Sequence, residues 1–222
     1  MTPEFWLNRW QRGELGWHEE EINRHLAEHW SSLEVPNKAP VLVPLCGKSL
    51  DMLWLASLGH AVLGIEISRL AAEQFFAEHQ LMPRVDQLGP FQRYQVDEIS
   101  LLVGDFFDLQ RAQLTGISAV YDRASLIALP PETRPRYARH LSRLLPDGVR
   151  SLLITLEYDQ ARMKGPPFSV TEPEVRALFE ASFQIETLSV FDALAESPRF
   201  RARGLDSLDE RVYRLQRQVS AA

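Results

Sequence analysis

The sequence lacks the features that mark secreted and membrane proteins. A single cysteine, Cys46, excludes an internal disulfide framework. No apolar run approaches the roughly 20 residues that a membrane-spanning helix needs. The N-terminal residues Met1-Thr2-Pro3-Glu4 form neither the basic nor the apolar region of a signal peptide. We therefore expect a cytoplasmic protein without a membrane partner.

Positive charge is also scarce. Lys and Arg total 24 against 30 Asp and Glu, which gives a formal net charge of -6. The average field therefore repels phosphate backbones, and nucleic acid is not expected as a partner. One helical segment concentrates basic residues, but their spacing predicts a solvated helix face: Arg134, Arg136, Arg139 and Arg143. We expect a small-molecule substrate and a monomer.

Short apolar runs alternate with amphipathic segments along most of the chain. Seven of these runs are predicted strands: 41–43, 60–65, 99–103, 117–121, 151–157, 183–190 and 211–216. Residues 91–96 flank the third strand like one arm of a hairpin. Such alternation predicts an α/β fold with a doubly wound, mostly parallel seven-stranded sheet.

The chain length predicts one domain covering residues 1–222, with an N-terminal helical extension over 1–35 and an α/β core over 36–222. Thr2-Pro3-Glu4 is typical of a helix start. A second helix is predicted from Glu19, and its apolar residues share one face: Ile22, Leu26, Trp30 and Leu33.

The turn after the first strand is the first candidate for a ligand site. Ligands of such sheets bind beyond the carboxyl ends of the strands, and Gly47 permits close approach of the backbone. Glu66 ends the second strand 19 residues after Gly47. A similar spacing places an acid against a ribose hydroxyl in dinucleotide folds. The pair suits an adenosine cofactor, either NAD or S-adenosylmethionine.

Two phosphate-binding motifs fail in this turn. The G-x-G-x-x-G pattern that seats a pyrophosphate on a helix N-terminus is missing. Gly47-Lys48-Ser49 resembles the end of a P-loop, but Leu42 stands where that motif requires glycine. A cofactor without phosphate, S-adenosylmethionine, is therefore favoured.

Three further strand ends carry candidate residues. Asp105 and Phe106 could meet an adenine amine and ring, or could be a helix-start acid beside a core aromatic residue. Arg123 could pair with the carboxylate of the cofactor or with an anionic substrate, or could form a surface salt bridge. Phe168, in Gly165-Pro166-Pro167-Phe168, could wall a substrate pocket or belong to a plain structural turn.

Neither a metal site nor a covalent nucleophile is predicted. His18 lacks the second histidine of H-E-x-x-H, and we expect His18, His25 and His29 on a solvated face. No histidine is placed near Cys46 by the sequence, so Cys46 is expected to be a small buried residue.

Several segments, taken in order, resemble the bacterial form of the thiopurine S-methyltransferase family: Trp10, Gly16-Trp17-His18, Val43-Pro44-Leu45-Cys46-Gly47-Lys48-Ser49, Gly64-Ile65-Glu66-Ile67-Ser68, Tyr121-Asp122-Arg123 and Gly165-Pro166-Pro167-Phe168. The resemblance implies a class I, Rossmann-like methyltransferase fold. It implies cofactor contacts from Trp10, Leu45, Glu66 and Arg123, with Asp105 and Phe106 on the adenine side. It also implies that residues 1–35 form a lid that brings Trp17 to the substrate.

The function implied is methyl transfer from S-adenosylmethionine to the sulfur of aromatic or heterocyclic thiols such as thiopurines. The resemblance extends this to selenium and tellurium compounds, in metalloid detoxification and tellurite resistance. No general base is evident, because a thiol of this kind is already substantially ionised near neutral pH. Two alternatives stay open: a nicotinamide-dependent oxidoreductase with a degenerate cofactor loop, and a non-catalytic module that binds an adenosine cofactor.

Overall fold

A computed structural model describes residues 2–219. The chain forms two compact units, Met1–Tyr121 and Asp122–Ala222. Among the described residues, no helix has both the length and the apolar character needed to cross a membrane. The single-domain interpretation of residues 1–222 stays a prediction.

The first unit combines an N-terminal helical extension with most of the parallel strands. Its elements are α1 Pro3–Gln11, α2 Arg24–His29, a 3-10 turn Trp30–Leu33, β1 Val41–Pro44, α3 Asp51–Ser57, β2 Val62–Glu66, α4 Arg69–Glu78, β3 Arg84–Leu88, β4 Phe91–Val96, β5 Ile99–Val103, 3-10 turns Phe106–Asp108 and Arg111–Leu114, and β6 Ala119–Arg123, whose last two residues belong to the second unit. The strand order is β3-β4-β5-β2-β1-β6.

The three central pairings of this unit are parallel. β1 pairs with β2 and with β6, and β2 pairs with β5 so that Glu66 lies opposite Val103. β1 is buried along its whole length, which explains its continuous apolar sequence. The carboxyl ends of these strands therefore meet at one edge, where Gly47, Glu66 and Asp105 lie.

The hairpin beside β5 is larger than the sequence indicated. β3 and β4 pair antiparallel, and β4 also pairs antiparallel with β5. β3 was missed because its side chains are mostly exposed or half-buried, so its residues Arg84–Leu88 show no apolar pattern. With this strand and β4, the described chain contains nine strands rather than seven.

The second helix of the extension starts later than predicted. Asn23 caps it, since its side-chain oxygen accepts from the amides of His25 and Leu26 at 3.1 and 3.3 Å. Ile22 lies outside the helix and is exposed, while Leu26, Trp30 and Leu33 are buried as expected. His25 is also buried, so its placement on a solvated face was wrong.

The second unit contains α5 Ser125–Ala128, α6 Arg134–Leu144, β7 Arg150–Glu157, α7 Glu172–Phe179, β8 Phe183–Asp192, α8 Pro198–Ala202 and β9 Asp209–Arg217. β9 pairs antiparallel with both β7 and β8. The Thr171 hydroxyl accepts from the amide of Glu174 at 3.4 Å and so caps α7.

One basic residue of α6 was placed wrongly. Arg136, Arg139 and Arg143 are exposed, as the helix-face interpretation requires. Arg134 is only 1% exposed and forms hydrogen bonds with Glu174. The spacing of the four arginines could not separate this residue from the others, because the buried face of an α-helix also repeats every three or four residues.

Candidate functional site

The turn after β1 contacts Glu66 directly. Leu45 and Gly47 both have positive φ, 48° and 55°, so the backbone turns sharply enough to aim the amide of Gly47 at β2. That amide donates to Glu66 Oε2 at 3.0 Å, and the amide of Ser68 donates to Oε1 at 2.8 Å. The structure therefore brings together the two residues that the 19-residue spacing had paired.

The carboxyl group of Glu66 is almost fully buried, and burial raises its pKa to about 7 against the opposing effect of the backbone amides. Charge on a buried carboxylate is costly unless donors compensate for lost water. The amides of Gly47 and Ser68 are two such donors. A carboxylate has lone pairs for further donors, such as the vicinal hydroxyl groups of a ribose.

Aromatic side chains of the N-terminal extension cover this turn. Trp10 is buried, and a β-carbon built on Gly47 would lie 3.5 Å from Cζ2 of its indole. Trp17 meets Trp10 edge to face at 5.8 Å, and Trp6 meets Trp17 in the same way at 5.3 Å. Trp10, Trp17 and Gly47 thus lie in one contiguous group.

Asp105 and Phe106 follow β5, the neighbour of β2. The side chain of Asp105 accepts from the amide of Phe107 at 2.9 Å and caps a 3-10 turn, while the Phe106 ring is buried. These contacts match the structural alternative raised for the pair. Gly104 donates to the carbonyl of Glu66 at 2.9 Å, so the segment also lies beside the candidate acid.

Lys48 and Cys46, which the sequence raised as a possible P-loop lysine and a possible nucleophile, have other surroundings in the structure. Lys48 Nζ lies 2.5 Å from Glu78 in an ion pair, which differs from the phosphate contact of a P-loop lysine. The Cys46 thiol is buried, and burial followed by the nearby Glu66 carboxylate raises its pKa well above the usual range. A thiol in this environment is a poor nucleophile, as expected.

His25, Glu28 and His29 bring potential metal-ligand atoms within 4.8 Å of one another. Residues separated by three and four positions on a helix are neighbours in any case. The group therefore identifies no centre by itself, and the absence of a metal stays a prediction.

The candidates of the second unit are Arg123 and Phe168. Arg123 ends β6, directly after the buried Asp122, whose carboxylate accepts from Tyr137 Oη at 2.6 Å. Burial raises the pKa of Asp122 to about 6. Phe168 is half-buried; its amide donates to the carbonyl of Ile127 at 2.7 Å, and its ring lies 5.9 Å from the Arg134 guanidinium.

The model of the family described as thiopurine S-methyltransferase matches residues 1–218. The enzyme of that name from Pseudomonas fluorescens (strain Pf0-1) is 50% identical over 97% of this chain and 99% of its own length. That from Azotobacter vinelandii is also 50% identical, over 98% and 100%. The chain belongs to the thiopurine S-methyltransferase family. The predicted family, enzyme class and cofactor, S-adenosylmethionine, are confirmed.

Solved structures confirm the class I methyltransferase fold. An S-adenosylmethionine-dependent methyltransferase from Anabaena variabilis has a TM-score of 0.65 at 15% identity, over 97% of this chain and 95% of its own. A Burkholderia thailandensis 1,6-didemethyltoxoflavin-N1-methyltransferase with bound S-adenosylhomocysteine has a TM-score of 0.64 at 18% identity, over 98% and 87%. At these identities the likeness concerns the fold alone.

The sequence did not reveal the residues that support the candidate residues of this thiopurine S-methyltransferase family member. These supports are side chains that hydrogen-bond to the segments around the candidates. Asp51 is buried; it accepts from the amide of Asn23 and from Tyr121 Oη, each at 2.8 Å. It thus joins the N-terminal extension to α3 and β6. An acid in the first turn of a helix is common, so no sequence signal distinguished Asp51. Tyr137 and Glu174 were also missed as supports, because their partners Asp122 and Arg134 are distant in the sequence.

Proposed function

We propose that this methyltransferase transfers the methyl group of S-adenosylmethionine to the sulfur of aromatic or heterocyclic thiols such as thiopurines. The observation that carries the proposal is the contact of the Gly47 turn with Glu66, covered by Trp10, in a chain of this family. Membership of the family supports the thiol acceptor, since its curated relatives are named for thiopurines.

The cofactor contacts proposed for the first unit follow from this arrangement. Glu66 accepts from the ribose hydroxyls, while Leu45 and Gly47 place backbone against the cofactor and Trp10 packs on it. Asp105 and Phe106 lie on the adenine side. These six residues, with Arg123 at the carboxylate of the cofactor, are the proposed cofactor set.

The acceptor is proposed to contact Trp17, Arg123 and Phe168. Methyl transfer from a sulfonium is an in-line displacement: a bond forms from the acceptor sulfur to the methyl carbon, and the bond from that carbon to the cofactor sulfur breaks. The protein aligns the two sulfur atoms and excludes water. Trp17 stacks on a planar ring, and Arg123 favours the anionic form of the thiol. No general base is required.

A panel of acceptors with labelled S-adenosylmethionine tests the proposal. Thiopurines and aromatic thiols are expected to accept label, and the matched oxygen analogues are the control because they have the same ring without sulfur. Selenite and tellurite form a further arm, which tests the metalloid activity that the sequence suggested. Cofactor binding without label transfer to any thiol would contradict the proposed acceptor class.

A further inference from the structure

The guanidinium of Arg134 joins three segments of the second unit. Its Nε donates to the carbonyls of Leu129 at 3.0 Å and Leu126 at 3.2 Å. One terminal nitrogen donates to both carboxylate oxygens of Glu174 at 2.7 Å. The centre of the Phe168 ring lies 5.9 Å from Cζ of the guanidinium. An arginine is rarely buried as completely as this one.

Two of these segments carry residues proposed to contact the acceptor. Leu126 belongs to α5, which starts two residues after Arg123, and Leu129 follows its end. Phe168 is fixed to the same helix by its amide, which donates to Ile127. The chain after Arg123 and the loop that carries Phe168 therefore share one charged support.

α6 also supports the chain before Arg123. Tyr137, one turn after Arg134, donates to the carboxylate of Asp122. One face of α6 thus contacts the chain on both sides of Arg123. The guanidinium is suited to this role, because its planar fork donates in several fixed directions whereas a lysine ammonium does not.

We propose that Arg134 is a positioning residue for the methyl acceptor. With Glu174 as its counter-ion, it fixes Phe168 and the segment that follows Arg123 relative to each other. The inference rests on the proposed function for the roles of Arg123 and Phe168. It adds a residue that contacts neither the acceptor nor the cofactor and that acts through Arg123 and Phe168.

The first experiment compares Arg134→Lys with Arg139→Lys, a matched change at an exposed position of the same helix. For Arg134→Lys we expect kcat/KM for a thiopurine to fall by roughly 10- to 100-fold, since small displacements of reacting groups have effects of this size. We expect the Kd of S-adenosylmethionine, measured by calorimetry, to change by less than about twofold, because six of the seven proposed cofactor residues lie in the first unit and only Arg123 lies beside the altered support. The control should match the wild type in both.

Glu174→Gln is the second variant, in case Arg134→Lys does not fold. It keeps the shape of the side chain and removes the charge that fixes the guanidinium, so the same pattern in kcat/KM and Kd is expected at smaller amplitude. A lower thermal midpoint with unchanged acceptor kinetics would show that Arg134 is structural only. An equal loss of cofactor binding would also overturn a role specific to the acceptor.

A measurement without acceptor separates this inference from the proposed function. The amide of Phe168 donates to Ile127, whereas that of Val170, two residues later, donates to Leu156 in β7. By NMR hydrogen exchange, Arg134→Lys or Glu174→Gln should accelerate exchange at Phe168 at least tenfold relative to Val170. An unchanged ratio would refute positioning by Arg134. A changed ratio in a protein that methylates no thiol would refute only the proposed acceptor.

Discussion

The Glu66 carboxylate, at the end of β2, is held in place by the backbone around it. Both of its carboxylate oxygens accept from backbone amides, so the side chain is aimed before any ligand arrives. A preorganised acceptor loses little conformational entropy on binding. The sequence placed Glu66 correctly, because the spacing between a turn and the end of the next parallel strand is fixed by the fold.

Removal of this carboxylate should weaken cofactor binding. We expect Glu66→Ala to cost about 1 to 3 kcal/mol in the free energy of S-adenosylmethionine binding, if buried ribose hydrogen bonds are lost. Isothermal titration calorimetry measures the change. Glu98→Ala, at an exposed position just before β5, is the control. Equal affinity of the Glu66 variant and the wild type would refute the ribose contact.

Cofactor affinity should also depend on pH. Hydroxyl donors favour the ionised carboxylate, so the proposed ribose contact requires the deprotonated form of Glu66, whose pKa is about 7. Affinity is then expected to rise by about tenfold between pH 6 and pH 8, with release of a proton. Calorimetry in buffers of different ionisation enthalpy detects that proton. Glu66→Gln should bind with no such dependence; persistence of the rise would assign it to another group.

The same shift has the opposite consequence for the stability of the ligand-free protein. Glu66 and Asp122 bind protons more tightly folded than unfolded, since their folded pKa values, about 7 and about 6, exceed the usual 4.5 and 3.8. Their joint contribution to the free energy of unfolding is therefore present at low pH and declines as pH rises from about 4 to about 7. Glu66→Gln should flatten part of this decline in a series of urea unfolding curves. An unchanged slope would contradict the burial of the protonated form.

At the scale of elements, the loop Gly165-Pro166-Pro167-Phe168 depends on its first residue. Gly165 has φ 76°, and a β-carbon there would lie 2.5 Å from Cδ1 of Phe168. The phenylalanine ring therefore packs directly on the glycine backbone. Tyr158 Oη donates to the carbonyl of Pro167, which fixes the other end of the loop.

Gly165→Ala should displace Phe168 and raise the KM of a thiopurine several-fold without changing cofactor affinity. Gly148→Ala is a close control, because Gly148 has φ 77° and open space where the β-carbon would be. Both variants are expected to lose about 1 kcal/mol of unfolding free energy from the positive φ. Steady-state kinetics and chemical denaturation measure the two effects. If Gly148→Ala raised the KM equally, contact with Phe168 would not be the cause.

The elements that the sequence predicted best are those whose pattern comes from local chemistry. Ser68 caps α4 and Thr171 caps α7, and both residues are of the types that favour this position. The start of α2 was misplaced because the acidic run before Asn23 is compatible with a helix, and the observed cap depends on the contact of Asn23 with distant Asp51. The burial of Arg134 likewise depends on Glu174, 40 residues away.

At the scale of the whole molecule, the order of strands and helices was enough to identify the fold class, since alternation restricts the possible topologies. The extra strand β3 could not be predicted, because an exposed edge strand has no apolar periodicity. Positions at one strand end, such as that of Glu66 beside the Gly47 turn, were accessible from spacing. Supports such as Asp51, which contacts Asn23 and Tyr121, arise only when separate segments fold together.

Cofactor binding should raise the stability of the protein. At a concentration about 100 times its Kd, S-adenosylmethionine adds about 2.7 kcal/mol to the free energy of unfolding. For a protein of this size that corresponds to a rise of roughly 5 to 10 °C in thermal midpoint. Differential scanning fluorimetry measures the rise, and NAD at the same concentration is the control. A larger shift with NAD would contradict the cofactor assignment.

Cys46 gives the molecule a built-in chemical reporter. It is the sole cysteine, it lies between Leu45 and Gly47, and a β-carbon on Gly64 would approach its sulfur to 2.8 Å. A thiol-directed reagent can therefore modify one cysteine only, and only after the turn opens and the thiol ionises. The rate of labelling by iodoacetamide therefore measures local opening of the turn, without background from other thiols. S-adenosylmethionine should lower this labelling rate. Cys46, which has no part in the proposed reaction, would then report how often the cofactor turn is open.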